Sequence, residues 1–222
     1  MNPYYSDDLV ALYHGDCREV TAWLEADVLV TDPPYGIAWS THGGGRDLRN
    51  WSRREAKVGI IGDEDTSARD DVLQAWGDRP AVVFGSPLIA PPSAAIQALV
   101  WRKPADAGVI GARFPWRRDV EMVYLLGKWP RVNPNRSSVI ESKGGLERYR
   151  NGHPHAKPTP VLEHIIKETP GGVIADPFAG SGSTLVAAKM LGRKVIGVEA
   201  EEKWCALAAS RLAQDTLFGG VA

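Results

Sequence analysis

Gly172-Val173-Ile174-Ala175-Asp176-Pro177-Phe178-Ala179-Gly180-Ser181-Gly182-Ser183-Thr184 decides the fold. An apolar run ends in an acid, a glycine-rich turn follows, and helical spacing begins. The pattern predicts a strand over Gly172–Ala175, a turn over Gly180–Ser183 and a helix from Thr184 to Leu191 ended by Gly192. A second strand, Lys194–Val198, then stops at Glu199, and Glu202–Gln214 reads as the closing helix. Strand, turn, helix and strand at this spacing define an α/β sheet, whose ligands sit at the carboxyl ends of the strands.

Glycines in such a turn let the backbone approach a ligand where a side chain would block it. No Lys follows Gly182 before Ser183-Thr184, which excludes the phosphate-gripping loop of nucleoside triphosphatases. Glu199 lies 17 residues beyond Gly182, where an acid can hold ribose hydroxyls. Together these features indicate an adenosine-containing cofactor. A tight packing turn is the competing account of the glycines, and a dehydrogenase the competing function. Asp176 tilts the balance. A carboxylate sits poorly beside a pyrophosphate but suits a ligand bearing an ammonium and a sulfonium, as S-adenosylmethionine does.

Near the other end, Asp27-Val28-Leu29-Val30-Thr31 reads as a buried strand that runs into Asp32-Pro33-Pro34-Tyr35. Two prolines end a strand because they donate no ladder hydrogen bonds. The residues that follow a strand in this way suit work on a conjugated amino group. The amino nitrogen of adenine or cytosine has its lone pair tied into the ring. Acceptors on its two hydrogens, here the Asp32 carboxylate and the Pro33 carbonyl, would draw it towards a nucleophilic geometry. Pro34 holds the turn rigid and Tyr35 offers a ring to stack on the base, which must leave the duplex to be reached. A proline-rich turn without chemistry is the plain alternative.

Asp32-Pro33-Pro34-Tyr35 followed far downstream by Asp176–Gly182 resembles the amino-group DNA methyltransferases, adenine-N6 or cytosine-N4 type. The order, catalytic motif first and cofactor motif last, resembles their beta group. Gly15-Asp16-Cys17, Lys157-Pro158 ahead of an amphipathic helix, and Val195–Glu199 extend the likeness over roughly residues 10–36 and 150–212. The resemblance implies the S-adenosylmethionine-dependent methyltransferase (Rossmann-like) fold: a mixed sheet flanked by helices, with a small target-recognition insertion. It implies a cofactor site of Asp16, Cys17, Asp32, Lys157, Asp176, Phe178, Ala179, Gly180, Ser181, Gly182, Thr184 and Glu199. Within it, Asp16 would lie near the cofactor's adenine and Lys157 beside its methionine end. Asp at position 32 favours adenine, since Ser is the commoner first residue for cytosine. Members often carry Gln before the Lys-Pro pair where this chain has Ala156, and the chain is short for the family.

Between the motifs, Ala11–His14, Ala81–Gly85 and Val120–Leu126 read as strands. Arg18–Ala26, Ala68–Gly77, Pro92–Ala98 and Thr159–Thr169 read as helices. Gly36–Asp65 and Asn133–Ala156 show no period, and so long a connection suggests a functional loop. The expected organisation of residues 1–222 is one methyltransferase domain. Its catalytic part covers about residues 10–100, a basic recognition region about 101–156, and a cofactor-binding part about 157–214.

The net charge of −1 conceals a bias, since residues 101–150 hold eleven Lys or Arg against five acids. Arg113, Arg117 and Arg118, with Arg46 in the first irregular loop, are the candidate contacts to double-stranded DNA. Trp101, Trp116 and Trp129 lie among these cations, and core positions are the favoured reading for each. No metal is expected, because His153 and His155 lack a third ligand at useful spacing. Two cysteines, Cys17 and Cys205, give no disulfide framework, and no apolar run suits a membrane span or a signal peptide, so a cytoplasmic protein is expected. A homodimer is left open. The rival functions are cytosine-N4 methylation, a dehydrogenase that leaves Asp32–Tyr35 unexplained, and an inactive DNA-binding relative. A protein-amide methyltransferase would show Asn at position 32.

Overall fold

The computed structural model describes residues 1–37, 61–104, 115–130, 136–141 and 156–215. Arg46, Arg113, His153 and His155, and most of both aperiodic stretches, lie outside the described residues.

Nine strands form one sheet: β1 (Tyr5–Ser6), β2 (Val10–His14), β3 (Val28–Thr31), β4 (Ala81–Gly85), β5 (Ala95–Arg102), β6 (Val120–Leu126), β7 (Val139–Glu141), β8 (Ile174–Asp176) and β9 (Val195–Glu199). Their spatial order is β1-β2-β9-β8-β3-β4-β6-β5-β7. The run from β2 to β4 is parallel, whereas β6 pairs antiparallel with both β4 and β5. Strands buried on both faces read as unbroken apolar runs, and every residue of β3 and β4 is buried.

Helices cover both faces. α2 (Thr159–Ile166), α3 (Ser183–Met190) and α4 (Glu202–Asp215) close one core over Val28, Val30, Val82 and Phe84. α1 (Ser67–Trp76) and a short 3-10 turn at Ala22–Glu25 close the other over Leu29, Ala81 and Val83. In that second core Trp23 and Trp76 stack, and the Arg79 guanidinium lies 3.6 Å from the Trp76 ring centre.

Two segments differ from the sequence expectation. The helix expected at Arg18–Ala26 is only the 3-10 turn, because the Asp16 carboxylate accepts the Arg18 N–H and the Cys17 carbonyl accepts the Trp23 indole N–H. Side-chain bonds of this kind compete with a helical ladder. Pro92–Ala98 is not a helix either, since Ala95 onwards extends as β5 along β6. Its weak helical spacing yields to β6, which pairs with it from Ala95 to Arg102. Within residues 101–156, β6, β7 and the end of β5 belong to the main sheet. Among the three tryptophans, Trp101 is in the core and Trp129 packs against it, but Trp116 is 85% exposed.

Candidate active site

Four neighbouring parallel strands, β2, β9, β8 and β3, each deliver an acid at or just past the carboxyl end: Asp16, Glu199, Asp176 and Asp32. The crevice beyond such ends is where α/β sheets bind ligands.

The glycine turn is built for close packing. Gly182 starts α3 at φ 78°, and a Cβ there would stand 2.8 Å from the Cβ of Ala208 in α4. The Arg211 guanidinium, also from α4, donates to the Ser181 carbonyl at 2.5 Å and reaches the Ser181 and Ser183 hydroxyls at 3.3 Å. Ala179, Ser181 and Thr184 are buried, and Phe178 packs partly against the second core. Glu199 accepts the Gly180 N–H and the Glu201 N–H, each at 2.8 Å, and burial raises its pKa. Asp16 is clasped by the Arg18 guanidinium, which lowers its pKa.

Asp176 is 2% exposed and accepts the Thr31 hydroxyl at 2.7 Å and the Phe178 N–H at 3.2 Å. Burial pushes its pKa up to about 6, against the hydrogen bonds from Thr184, Thr31 and Phe178. A carboxyl raised by desolvation gains from a nearby cation. This set of acids therefore fits a ligand with a sulfonium and an ammonium and disfavours a pyrophosphate. The Cys17 thiol is buried in the second core, where burial and then the Asp16 charge push its pKa to about 12.

On the catalytic side, Asp32 and Tyr35 meet residues that the motif reading did not include. The Tyr35 hydroxyl donates to Asp32 Oδ1 at 2.8 Å and lies 3.2 Å from Glu121 Oε2. The Lys157 ammonium pairs with Asp32 Oδ2 and stands 3.3 Å from Glu121 Oε2. Lys103 pairs with Glu121 Oε1 at 2.5 Å. Burial disfavours charge on Lys157, but the carboxylates of Asp32 and Glu121 outweigh it and its pKa is raised. Burial would likewise raise Glu121, yet Lys157 and Lys103 outweigh it and its pKa is lowered. Tyr35 is pushed well up by burial and then by the two acids, so it remains a donor. Below the motif, the buried Asp63 accepts the Gly36 N–H at 2.8 Å and holds the turn after Tyr35.

Glu121, Lys103, Thr31, Asp63 and Arg211 thus complete the site without having been named from sequence. Glu121 alone carried a signal, as an acid inside the apolar run Val120–Leu126. On the outer surface Arg118 is exposed, and Arg117 pairs with Asp119 at 3.3 Å. Among the described residues no cluster of His, Cys, Asp and Glu could hold a metal ion, and no helix is long and apolar enough to cross a membrane.

These features define an S-adenosylmethionine-dependent methyltransferase fold, and solved structures share it. The M1.HpyAVI–SAM complex superposes with a TM-score of 0.63 at 22% identity, covering 92% of this chain and 99% of that one. The cytosine-N4-specific PvuII DNA methyltransferase gives 0.63 at 17% identity, covering 100% and 91%. In sequence, Type II methyltransferase M2.DpnII of Streptococcus pneumoniae is 45% identical over 69 residues, 30% of this chain. That alignment spans 26% of the relative's own length. The DNA methylase family profile of N6/N4 type matches residues 95–210, and the chain belongs to that family. Its cofactor is S-adenosylmethionine.

Proposed function

We propose that this chain transfers the methyl group of S-adenosylmethionine to the N6 amino group of adenine in double-stranded DNA. One observation supports the reading above others. The Asp32 carboxylate lies at the end of β3, directly beside β8 and the Asp176–Gly182 turn, so an acceptor for an amino group adjoins a cation-compatible cofactor site.

In this reading Gly180 and Gly182 admit the cofactor closely, flanked by Phe178, Ala179, Ser181 and Thr184. Glu199 receives the ribose hydroxyls and Asp16 lies near the adenine. Asp176 and Lys157 border the methionine end. The target base is flipped out, stacks on Tyr35 and donates its amino hydrogens to Asp32 and to the Pro33 carbonyl. The amino nitrogen forms its bond to the methyl carbon as the sulfonium S–CH3 bond breaks, and a neutral thioether leaves. Asp32 stabilises the positive charge that grows on nitrogen, and positioning supplies the rest of the acceleration. In this reading Arg117, Arg118 and Trp116 contact the duplex.

Cytosine-N4 methylation is the second reading, since the PvuII enzyme that shares the fold is cytosine-N4-specific. The test is to label plasmid DNA with a radioactive methyl donor, digest to nucleosides and identify the labelled one. N6-methyl-2′-deoxyadenosine is expected, and label in deoxycytidine alone would overturn the adenine assignment.

A further inference from the structure

Both oxygens of Asp32 are already engaged, Oδ1 by the Tyr35 hydroxyl at 2.8 Å and Oδ2 by the Lys157 ammonium. An ammonium bound to Asp32 offsets the negative potential that the amino group needs and occupies the space from which it would approach. Glu121 offers both donors another place. Its Oε2 lies 3.2 Å from the Tyr35 oxygen and 3.3 Å from Lys157 Nζ, so each donor spans the two acids. Its Oε1 is held by Lys103 at 2.5 Å.

We propose that Glu121 is a positioning residue that receives the Tyr35 and Lys157 hydrogen bonds as the target base enters, leaving the Asp32 carboxylate to the amino group. The inference rests on the amino-methyltransferase reading above. Only hydrogen bonds change partner. No proton or electron moves, and the two carboxylates and two ammoniums balance throughout. The placement suits this task. Glu121 sits on β6 directly opposite Trp101 of β5, so its backbone is fixed by the sheet while its carboxylate reaches the crevice. Only 8% of the Lys157 side chain and 15% of the Glu121 side chain are exposed, and a buried charge is costly unless paired. A fixed acid with its own counter-ion, Lys103, can hold a second ammonium without being drawn out of place.

The experiment measures single-turnover methyl transfer at saturating DNA and cofactor, with cofactor affinity by calorimetry, for wild type, Glu121→Gln, Lys157→Met and the double variant. Glu121→Gln keeps the shape and removes the charge. Its rate should fall at least about tenfold, less than the roughly hundredfold scale of a group that touches the reacting atoms, while the cofactor Kd stays within about twofold. With Lys157 removed there is no ammonium to take over, so adding Glu121→Gln to Lys157→Met should cost under about threefold, the signature of coupled residues. A Glu121→Gln rate within twofold of wild type would overturn the inference, as would losses that simply multiply in the double variant. Should the amide fail to fold, Glu121→Asp keeps the charge and shortens the reach. A slower rate at unchanged cofactor affinity supports the hand-over, and a wild-type rate opposes it. Wild-type protein that labels no amino group on DNA sinks the underlying reading, a result distinct from any difference among variants.

Discussion

The Thr31 hydroxyl donates to Asp176 Oδ1 at 2.7 Å, joining the residue just before the Asp32 motif to the acid that opens the glycine turn. Thr31 and Asp176 are both buried, at 1% and 2% exposure, so the bond has no water to replace it. It ties the two halves of the crevice together across the β3–β8 boundary. Thr31→Val keeps the shape and removes the donor. Leaving a buried acceptor short of a partner costs about 1–3 kcal/mol. Chemical denaturation should show that loss, and the cofactor should bind more weakly. Unchanged stability would mean that Asp176 does not depend on this bond.

Asp176 also sets a pH dependence. Its pKa in the folded protein is raised to about 6, and a cationic ligand favours its ionised form. Affinity for S-adenosylmethionine should therefore rise with pH up to about 6 and level off above it. Below that point it should weaken by up to about tenfold per unit. For the free protein the sign is opposite. Because folding raises this pKa, its contribution to stability is full below the ordinary value of 3.8 and is lost as pH rises through about 6. Thr31→Val, by removing a bond to the carboxylate, should move the binding midpoint upward. Calorimetry from pH 5 to 8 checks both, and a flat profile would place the cofactor's cations away from Asp176.

The α3–α4 contact predicts a stability effect. At Gly182 the backbone has φ 78°, and an added Cβ would lie 2.8 Å from the Cβ of Ala208. Strain and overpacking together should make Gly182→Ala cost about 2–4 kcal/mol. Adding Ala208→Gly relieves the contact but not the backbone, so the double variant should recover part of the loss. Thermal unfolding with no destabilisation in the single variant would mean that the helices yield freely.

Asp176–Gly182 and Val195–Glu199 were legible because strand, turn and helix are local patterns, and β4 and β6 fall at the expected positions. Pro92–Ala98 was misread because β5 owes its form to β6, which lies more than twenty positions downstream. Asp32 and Tyr35 are legible as a motif, but their neighbours Glu121 and Lys103 come from β6 and from the position just past β5. Only the pairing of those strands brings the two residues together. Thr31 reads in the sequence as the end of an apolar strand, and only the pairing of β3 with β8 brings its hydroxyl to Asp176.

The exposed Trp116 is the surface feature to test. It stands beside Arg117 and Arg118, and an 85% exposed indole among cations suits contact with a nucleic acid. Trp116→Ala should weaken DNA binding without changing cofactor affinity. Arg118→Ala should weaken binding to all sequences and reduce the slope of log K against log salt by about one. Fluorescence anisotropy over a salt series measures both, and an unchanged slope would mean that Arg118 faces away from phosphate.

Asp32 carries the chemical claim. Asp32→Ala should abolish methyl transfer while the cofactor still binds, because Asp32 belongs to the base side of the crevice. Asp32→Asn is the sharper variant. Its amide oxygen can still accept the Tyr35 hydroxyl, and Lys157 retains Glu121 as a counter-charge 3.3 Å away, so the fold should tolerate the change. What it loses is negative charge beside the nitrogen that becomes positive in the transition state. The single-turnover rate should fall at least about a hundredfold, the scale of losing one preorganised electrostatic partner. Tyr35→Phe bears on the same point. Stacking alone would make the hydroxyl dispensable, but here it bonds to charged groups, and its removal should cost stability by about 1.5–3 kcal/mol. If Asp32→Ala still methylated duplex DNA at the wild-type rate, the acceptor for the amino group would have to be sought elsewhere in the crevice, with Glu121 the first place to look.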